Sequence, residues 1–142
     1  MIIRTYTKSD LNALTQLMDE LGYPTQPEVL SSRLKRMESN PMYHTFVAEI
    51  KEEIVGMVGI RQFITYEFDE IITQISVLVT KAEFRRQGIG KALVQYVEQW
   101  SKHNGSDMII LSSGIKPERK QAHEFYKSIG FDITGYRFVK KL

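Results

Sequence analysis

Residues 77–93 read VLVTKAEFRRQGIGKAL. Branched residues typical of a strand come first, followed by a polar turn, a pair of glycines and the start of an amphipathic helix. The first turn of a helix leaves amide groups without internal partners, and the helix dipole adds positive potential there. Because Gly88 and Gly90 lack Cβ, an anion can approach the backbone closely. Three basic side chains add positive charge to this turn: Arg85, Arg86 and Lys91.

The spacing of these glycines separates the turn from two common nucleotide-binding motifs. It is not GxGxxG, and it lacks the GK[ST] ending of a nucleoside-triphosphate loop. The pattern favours a pyrophosphate cradle. A glycine-rich strand-to-helix turn with a solvated basic rim explains this hexapeptide alone equally well.

A second motif lies about thirty residues further on and reads Arg119-x-x-Ala122-His123-x-Phe125-Tyr126-x-x-x-Gly130-Phe131. The first motif, Arg85-x-x-Gly88-x-Gly90, resembles the [QR]-x-x-G-x-[GA] signature of the Gcn5-related N-acetyltransferase (GNAT) family. The second resembles the C-terminal pattern of the same family. The order of the two motifs, the strand-like Ile109–Ser113 and the helix break at Leu21–Pro24 extend the resemblance over nearly the whole chain.

The patterns and the resemblance together predict one α/β domain over residues 1–142. We expect strands at 2–6, 43–50, 54–64, 71–79 and 108–111, with one or two closing strands in 131–139. Capping residues predict helices after Thr7, Thr25 and Gly88, and Gly130 ends the last one. The resemblance implies a mixed, mostly antiparallel sheet of about seven strands and four helices, with the fourth and fifth strands splayed apart.

The resemblance also implies how acetyl-CoA would bind. Pantetheine would lie in the gap between the splayed strands and bond to the backbone of Val77, Leu78 and Val79. Arg119 stands where many members have a pantetheine-contacting Asn, so it is either a phosphate- or adenosine-side contact or a helix surface charge. The pyrophosphate would be bound by the turn: Arg85, Arg86, Gln87, Gly88, Ile89, Gly90 and Lys91.

Acetyl transfer to an amine needs a group that removes a proton, because a lysine-like amine has an unperturbed pKa near about 10.4. A carboxylate is the usual choice. Many family members place a Glu on the fourth strand, but the corresponding position here is Gln74. By alternation Glu70 shares its face, and we assign the base to Glu70. Glu67 and Asp69 adjoin it, and all three acids could equally form a solvated loop.

The general acid for the departing thiolate is assigned to Tyr126 by the same resemblance. Aromatic residues at helical spacing usually serve the core, as Phe125 beside it does, so packing is the competing interpretation of Tyr126. His123 could orient Tyr126 or Arg119, although a lone helical His is more often structural.

Composition limits the remaining function classes. The chain has no Cys, so disulfides, zinc–thiolate sites and a cysteine nucleophile are excluded. We assign no metal. The net charge of +2 does not suggest a nucleic-acid protein, and the sequence lacks a signal peptide and a membrane-length apolar run. We expect a cytoplasmic protein that binds neither nucleic acid nor membrane. A homodimer is left open.

The sequence therefore predicts an acetyl-CoA-dependent N-acetyltransferase that works by direct attack of a primary amine in a ternary complex. The acidic, aromatic segment Tyr66–Glu70 predicts a cationic acceptor, because carboxylates and ring faces attract ammonium. The alternative is a module that binds acetyl-CoA as a sensor without turnover, and Gln74 in place of the usual acid supports it.

Overall fold

A five-stranded sheet with helices on both faces forms the first part of the molecule. The computed structural model describes residues 1–142, which divide into two compact units, Met1–Ile110 and Leu111–Leu142. The strands lie side by side in chain order, and each of the first four is antiparallel to its neighbours among them. They are β1 (Ile2–Thr5), β2 (Tyr43–Ile50), β3 (Glu53–Phe63), β4 (Ile71–Thr80) and β5 (Ser106–Leu111).

The helices begin and end where local chemistry predicts, with one exception. Gly22 ends α1 with a φ of 103°, a left-handed conformation that only glycine adopts readily. The exception is α2, whose N-cap is Gln26 and not Thr25, so the predicted capping box does not form there. The four helices are α1 (Leu11–Leu21), α2 (Pro27–Glu38), α3 (Ile89–His103) and α4 (Lys120–Ser128). None of them is both long and apolar enough to span a membrane.

The two faces of the sheet pack against different helices. One face contributes Met57 and Val79 to a buried cluster with leucines of α1 and α2, namely Leu14, Leu17, Leu30 and Leu34. The other face contacts α3, where the buried Ser101 hydroxyl donates to Thr73 Oγ1 over 2.9 Å. Gly56 permits the start of α3 to pack closely on the sheet, because a Cβ at that position would lie 3.2 Å from both Ile89 and Leu93. The N-terminus of α3 is thereby fixed directly against the sheet.

The antiparallel ladder contains a tight hairpin turn and two register shifts, one in the β2–β3 pair at Val55 and one in the β3–β4 pair. The β2–β3 hairpin turns through Lys51 and Glu52, whose positive φ values of 48° and 67° match a two-residue type I′ turn. In the β3–β4 pair, Gly59 lies opposite Val77 but Ile60 lies opposite Ile75, so Ser76 is an extra residue in β4. The side chain of Ser76 is exposed.

The second unit contains α4 and a C-terminal segment without regular secondary structure. Gly130 ends α4 with a φ of 103°, and the Phe131 amide donates to the Tyr126 carbonyl over 3.0 Å. The prediction of one or two closing strands in 131–139 is wrong, and with it the expected total of about seven strands. The apolar residues there find no strand to pair with and remain exposed, for example Tyr136 at 89% and Phe138 at 92%. Strand propensity depends on such a partner.

Candidate active site

The glycine-rich turn predicted from the sequence presents unpaired backbone amides at the start of α3. Gly88 caps the helix with a φ of 81°, and Arg86 is also left-handed at 62°. Ala92 is the first residue whose amide bonds back to the turn, donating to the Gly88 carbonyl over 3.0 Å. The preceding amides of the first helical turn have no acceptor in the protein. Left-handed residues in such turns form concave anion sites, so the turn is suited to an anion.

The outer residues of this turn are exposed to solvent, and a buried residue holds the turn to the core. The residues from Arg85 to Gly88 are exposed, as is Lys91, whereas Ile89 is only 2% exposed and packs beneath them. Apart from Gly88 itself and its neighbours in the chain, no atom lies within 4 Å of the point where a Gly88 Cβ would stand, so a ligand could approach there. The Nε of Arg85 donates to the Thr80 carbonyl over 3.4 Å, which holds the side chain near the end of β4.

The segment between β4 and the turn is braced by the rest of the first unit. The Ala82 amide donates to a carboxylate oxygen of Glu20 on α1 over 2.9 Å. Lys81 forms an ion pair with Glu53 on β3, with 2.7 Å between Nζ and Oε2. These contacts tie the turn to a helix and a strand that are distant in sequence, and the sequence alone gave no indication of them.

The predicted pantetheine residues occupy the end of β4. Val77 and Leu78 are partly buried and Val79 is 5% exposed. The side chains of Val77 and Val79 pack against the cluster that α1 and α2 cover, so only their backbone groups are available to a ligand. This arrangement fits a role that the resemblance assigns to backbone groups.

The predicted base, Glu70, lies in the bend that precedes β4 and not on the strand itself. Its side chain is exposed, as are Glu67 and Asp69, and none of these acids forms an ion pair. The bend is ordered locally by the Phe68 amide, which donates to Thr65 Oγ1 over 3.3 Å. The acids therefore form a cluster of free negative charge at the tip of the β3–β4 hairpin.

Gln74 accepts a hydrogen bond from Arg61, a residue that the sequence did not single out. The Nε of Arg61 donates to Gln74 Oε1 over 2.7 Å, and the guanidinium carbon lies 4.7 Å from the centroid of the Phe63 ring. The signal available in the sequence was a charged residue inside the apolar strand pattern of β3. Its partner depends on the strand register, which alternation does not supply.

Tyr126 and Arg119 belong to the second unit. The Tyr126 ring packs between those of Phe125 and Phe131, with centroids 5.5 and 5.8 Å away. Burial raises the pKa of the Tyr126 phenol, and the positive charge of Arg119 opposes that shift. The phenol is therefore protonated at neutral pH, as a general acid must be.

His123 forms no hydrogen bond with Tyr126 or Arg119. Its Nε2 lies 2.7 Å from the Gly114 carbonyl, which ties the loop after β5 to α4. This contact supports a structural role for His123. No three side chains of the types that ligate metals cluster closely enough to hold a metal ion.

Comparison with known proteins identifies the family. Residues 11–131 match the model of the acetyltransferase (GNAT) family. The chain belongs to the GNAT family. It is 32% identical to the uncharacterized N-acetyltransferase YhdJ of Bacillus subtilis over 87% of this chain and 86% of that protein. It is 29% identical to an aminoalkylphosphonate N-acetyltransferase of Salmonella typhimurium over 89% of this chain and 78% of the relative.

A solved structure extends this likeness to the whole fold of a GNAT protein. The crystal structure of a GNAT family acetyltransferase from Staphylococcus aureus matches with a TM-score of 0.86 and 30% identity, covering 99% of this chain and 98% of the other. The predicted family is confirmed, and acetyltransferase chemistry follows at the level of the family.

Proposed function

We propose that the protein is an N-acetyltransferase that moves the acetyl group of acetyl-CoA to a primary amine by direct attack in a ternary complex. The observation that carries this proposal is the turn at Gly88, where left-handed residues and unpaired amides form an anion cradle. In this proposal the pyrophosphate binds those amides and the basic side chains beside them, and the backbone of Val77–Val79 binds pantetheine. Arg119 is proposed as a further phosphate- or adenosine-side contact.

The proposed reaction forms one bond and breaks another. The free amine attacks the thioester carbonyl, the new C–N bond forms, and the C–S bond breaks as the tetrahedral intermediate collapses. Glu70 removes a proton from the amine, directly or through water, and the Tyr126 phenol donates one to the departing sulfur. The products are the acetylated amine and the CoA thiol. With no Cys in the chain, no thiol of the protein carries the acetyl group.

The acceptor in this proposal presents a cationic end to the protein. Glu67, Asp69 and Glu70 are exposed and free of ion pairs, so their charge is available to attract an ammonium group. Deprotonation by the nearby carboxylate would then convert that ammonium into the nucleophile.

The second candidate function is acetyl-CoA sensing without turnover, and the Arg61–Gln74 contact favours it. A glutamine amide is not a proton acceptor at neutral pH, and the oxygen of Gln74 is already bound by Arg61. A sensor needs the cofactor turn but no base. It would bind acetyl-CoA and leave every amine unmodified.

Two measurements test the proposal. Acetyl-CoA at a hundredfold excess over its Kd should stabilise the fold by about 2.7 kcal/mol, and ATP and NAD should not. Amine-dependent release of CoA thiol should then be followed with a thiol reagent, an assay without protein background because the chain has no Cys. Stabilisation without thiol release across a broad amine panel would favour the sensor. No stabilisation by acetyl-CoA would reject both functions.

A further inference from the structure

One row of polar side chains crosses three neighbouring strands on the sheet face that α1 and α2 cover. Tyr43 on β2, Arg61 on β3 and Gln74 on β4 are direct register partners. Arg61 lies four residues after Met57 on the same strand, so both point to the face that holds the leucine cluster. Directly opposed side chains in such a row are about 5 Å apart at Cβ, so the three are neighbours.

Arg61 is held in position at the centre of this row. Gln74 accepts its Nε–H over 2.7 Å, and the Phe63 ring lies under the guanidinium at 4.7 Å. The side chain is partly buried. These contacts fix the plane of the guanidinium from two sides and restrict the rotation that a free surface arginine would have.

The rest of the guanidinium has no partner in the protein. Its terminal N–H groups donate to no acceptor, and no carboxylate lies within ion-pair distance of it. Arg4 provides the contrast, since its terminal nitrogens bind both Asp10 and Glu49. Arg61 therefore presents a positioned, uncompensated cation, and its planar fork matches the oxygens of a carboxylate or phosphonate.

The position of Arg61 relates it to the proposed reaction. Its partner Gln74 precedes Val77, the first proposed pantetheine residue, by three residues, and because Ser76 is an extra residue this step matches the two-residue step from Arg61 to Gly59, roughly 7 Å along the sheet. The other end of the β3–β4 hairpin carries the acidic cluster at Glu67, Asp69 and Glu70. A small molecule near the end of pantetheine would thus have a fixed cation and a group of free carboxylates on the same hairpin.

We propose that Arg61 binds an oxyanion of the acceptor, and that the acceptor is a small primary amine carrying a carboxylate or phosphonate at its other end. The proposal rests on the acetyltransferase function and narrows its substrate class. The ammonium end is attracted by the acidic bend, whereas the acidic end binds the free N–H groups of Arg61. Arg61 is a specificity-determining residue and takes no part in proton transfer.

A matched set of amines tests this assignment. Butylamine, 4-aminobutanoate, 3-aminopropylphosphonate and 1,4-diaminobutane share a short chain and differ at the terminal group, which is neutral, carboxylate, phosphonate or ammonium. We expect kcat/KM to be at least about tenfold higher for one of the two acidic amines than for butylamine, as for a charge-assisted hydrogen bond. The ratio between those two amines identifies which oxyanion is preferred. A wild-type preference for butylamine or 1,4-diaminobutane would overturn the proposal.

Variants locate the effect at Arg61. Arg61→Ala should lower kcat/KM for the preferred acidic amine by about tenfold to a hundredfold and leave butylamine within about twofold, with Arg61→Lys intermediate. Lys102→Ala removes an exposed cation of α3, on the other side of the sheet, and should change neither value. An equal loss for all four amines in Arg61→Ala would show a structural role and overturn the proposal.

Calorimetry separates this proposal from the acetyltransferase function itself. Titration of 3-aminopropylphosphonate and 4-aminobutanoate into the CoA-bound protein should give heat of binding for at least one of them, lost in Arg61→Ala and kept in Lys102→Ala. If no amine releases thiol although this binding is seen, the acetyltransferase function fails and the oxyanion site stands. If the wild-type protein binds neither compound while butylamine is acetylated, the oxyanion site fails and the enzyme stands.

Discussion

Gln74 and Val77 lie on the same face of the sheet although they are three residues apart in β4. Gln74 bonds to Arg61, and Val77 faces Gly59, which shares the face of Arg61. In a regular strand, residues three apart point to opposite faces. The extra residue Ser76 reverses the alternation. Even-numbered residues before it and odd-numbered residues after it therefore point to the same face of the sheet.

This relationship predicts a tight steric coupling between Gly59 and Val77. A Cβ at position 59 would lie 2.7 Å from Val77 Cγ1, closer than real contacts allow. We expect Gly59→Ala to lower the free energy of unfolding by about 1–3 kcal/mol. Adding Val77→Ala should restore part of that loss, a coupling of about 0.5–3 kcal/mol in denaturant unfolding. Gly135→Ala, where a Cβ meets nothing, is the control, and strict additivity of the pair would contradict the coupling.

The phenol of Tyr126 is predicted to contribute to the chemical step. Tyr126→Phe removes only the hydroxyl and retains the ring contacts with Phe125 and Phe131. Since general acid help begins at about a hundredfold, kcat should fall by about that factor with acetyl-CoA affinity unchanged. Tyr136→Phe alters an exposed tyrosine and should have no effect. If the kcat of Tyr126→Phe is within about twofold of wild type, Tyr126 is not the general acid and serves only packing.

The cofactor turn is tested by comparing two left-handed glycines. Gly88→Ala and Gly22→Ala both place a Cβ at a positive φ, of 81° and 103°, with nothing within 4 Å. Each should therefore cost about 1–2 kcal/mol of stability. Only Gly88→Ala should weaken CoA binding, by about tenfold to a hundredfold, because its Cβ would obstruct hydrogen bonds to a charged phosphate. Equal CoA affinities of the two variants in isothermal titration would show that the pyrophosphate does not bind at this turn.

The ion network at the N-terminus makes stability depend on pH. Hydrogen bonding to Arg4 is the largest of the causes that hold the pKa of Asp10 below its ordinary value, and Thr7 adds to it. A depressed pKa means that Asp10 stabilises the fold above its unfolded pKa of about 3.9, and that this stabilisation is lost as pH falls through the folded pKa. Asp10→Asn should therefore be less stable at pH 7, by about 1.5–3 kcal/mol, as expected for a hydrogen bond to a charged group.

The comparison of Asp10→Asn with wild type should be made by denaturant unfolding at several pH values. The difference between the two proteins should shrink on acidification and stay constant between pH 6 and about 8. Asp107→Asn, at an exposed residue without an ion pair, should match wild type throughout. A difference between Asp10→Asn and wild type that is independent of pH would mean that packing, and not charge, explains the effect.

The elements that were predictable from the sequence are those whose causes are local. A left-handed glycine ends α1, a charged turn joins β2 to β3, and the glycine pair opens α3; the turn was expected over residues 51–53 but takes only Lys51 and Glu52, because Glu53 already belongs to β3. Each depends on residues within a few positions. The closing strands in 131–139 were predicted wrongly because an apolar, strand-like composition does not supply a hydrogen-bonding partner.

The candidate site divides in the same way. The turn at Gly88 could be predicted because its glycines and free amides lie within a few neighbouring positions, and its role in binding stays a prediction. Arg61 could not be assigned, because its neighbours Tyr43 and Gln74 come from two other strands and depend on register. Glu70 lies in the bend before β4, outside the strand as its predicted bounds of 71–79 imply, so alternation along β4 does not fix the direction of its side chain, and its role as the base stays a prediction.

The turn of the first hairpin has a consequence for protein engineering. Lys51 and Glu52 both adopt positive φ, yet neither is glycine or asparagine, the residues that type I′ turns favour. The natural chain thus retains backbone strain at a site remote in sequence from every group proposed for chemistry. We expect that replacing the pair with Asn-Gly raises the stability of the fold and gives a background in which destabilising variants of the cofactor turn and of Arg61 can be produced and assayed.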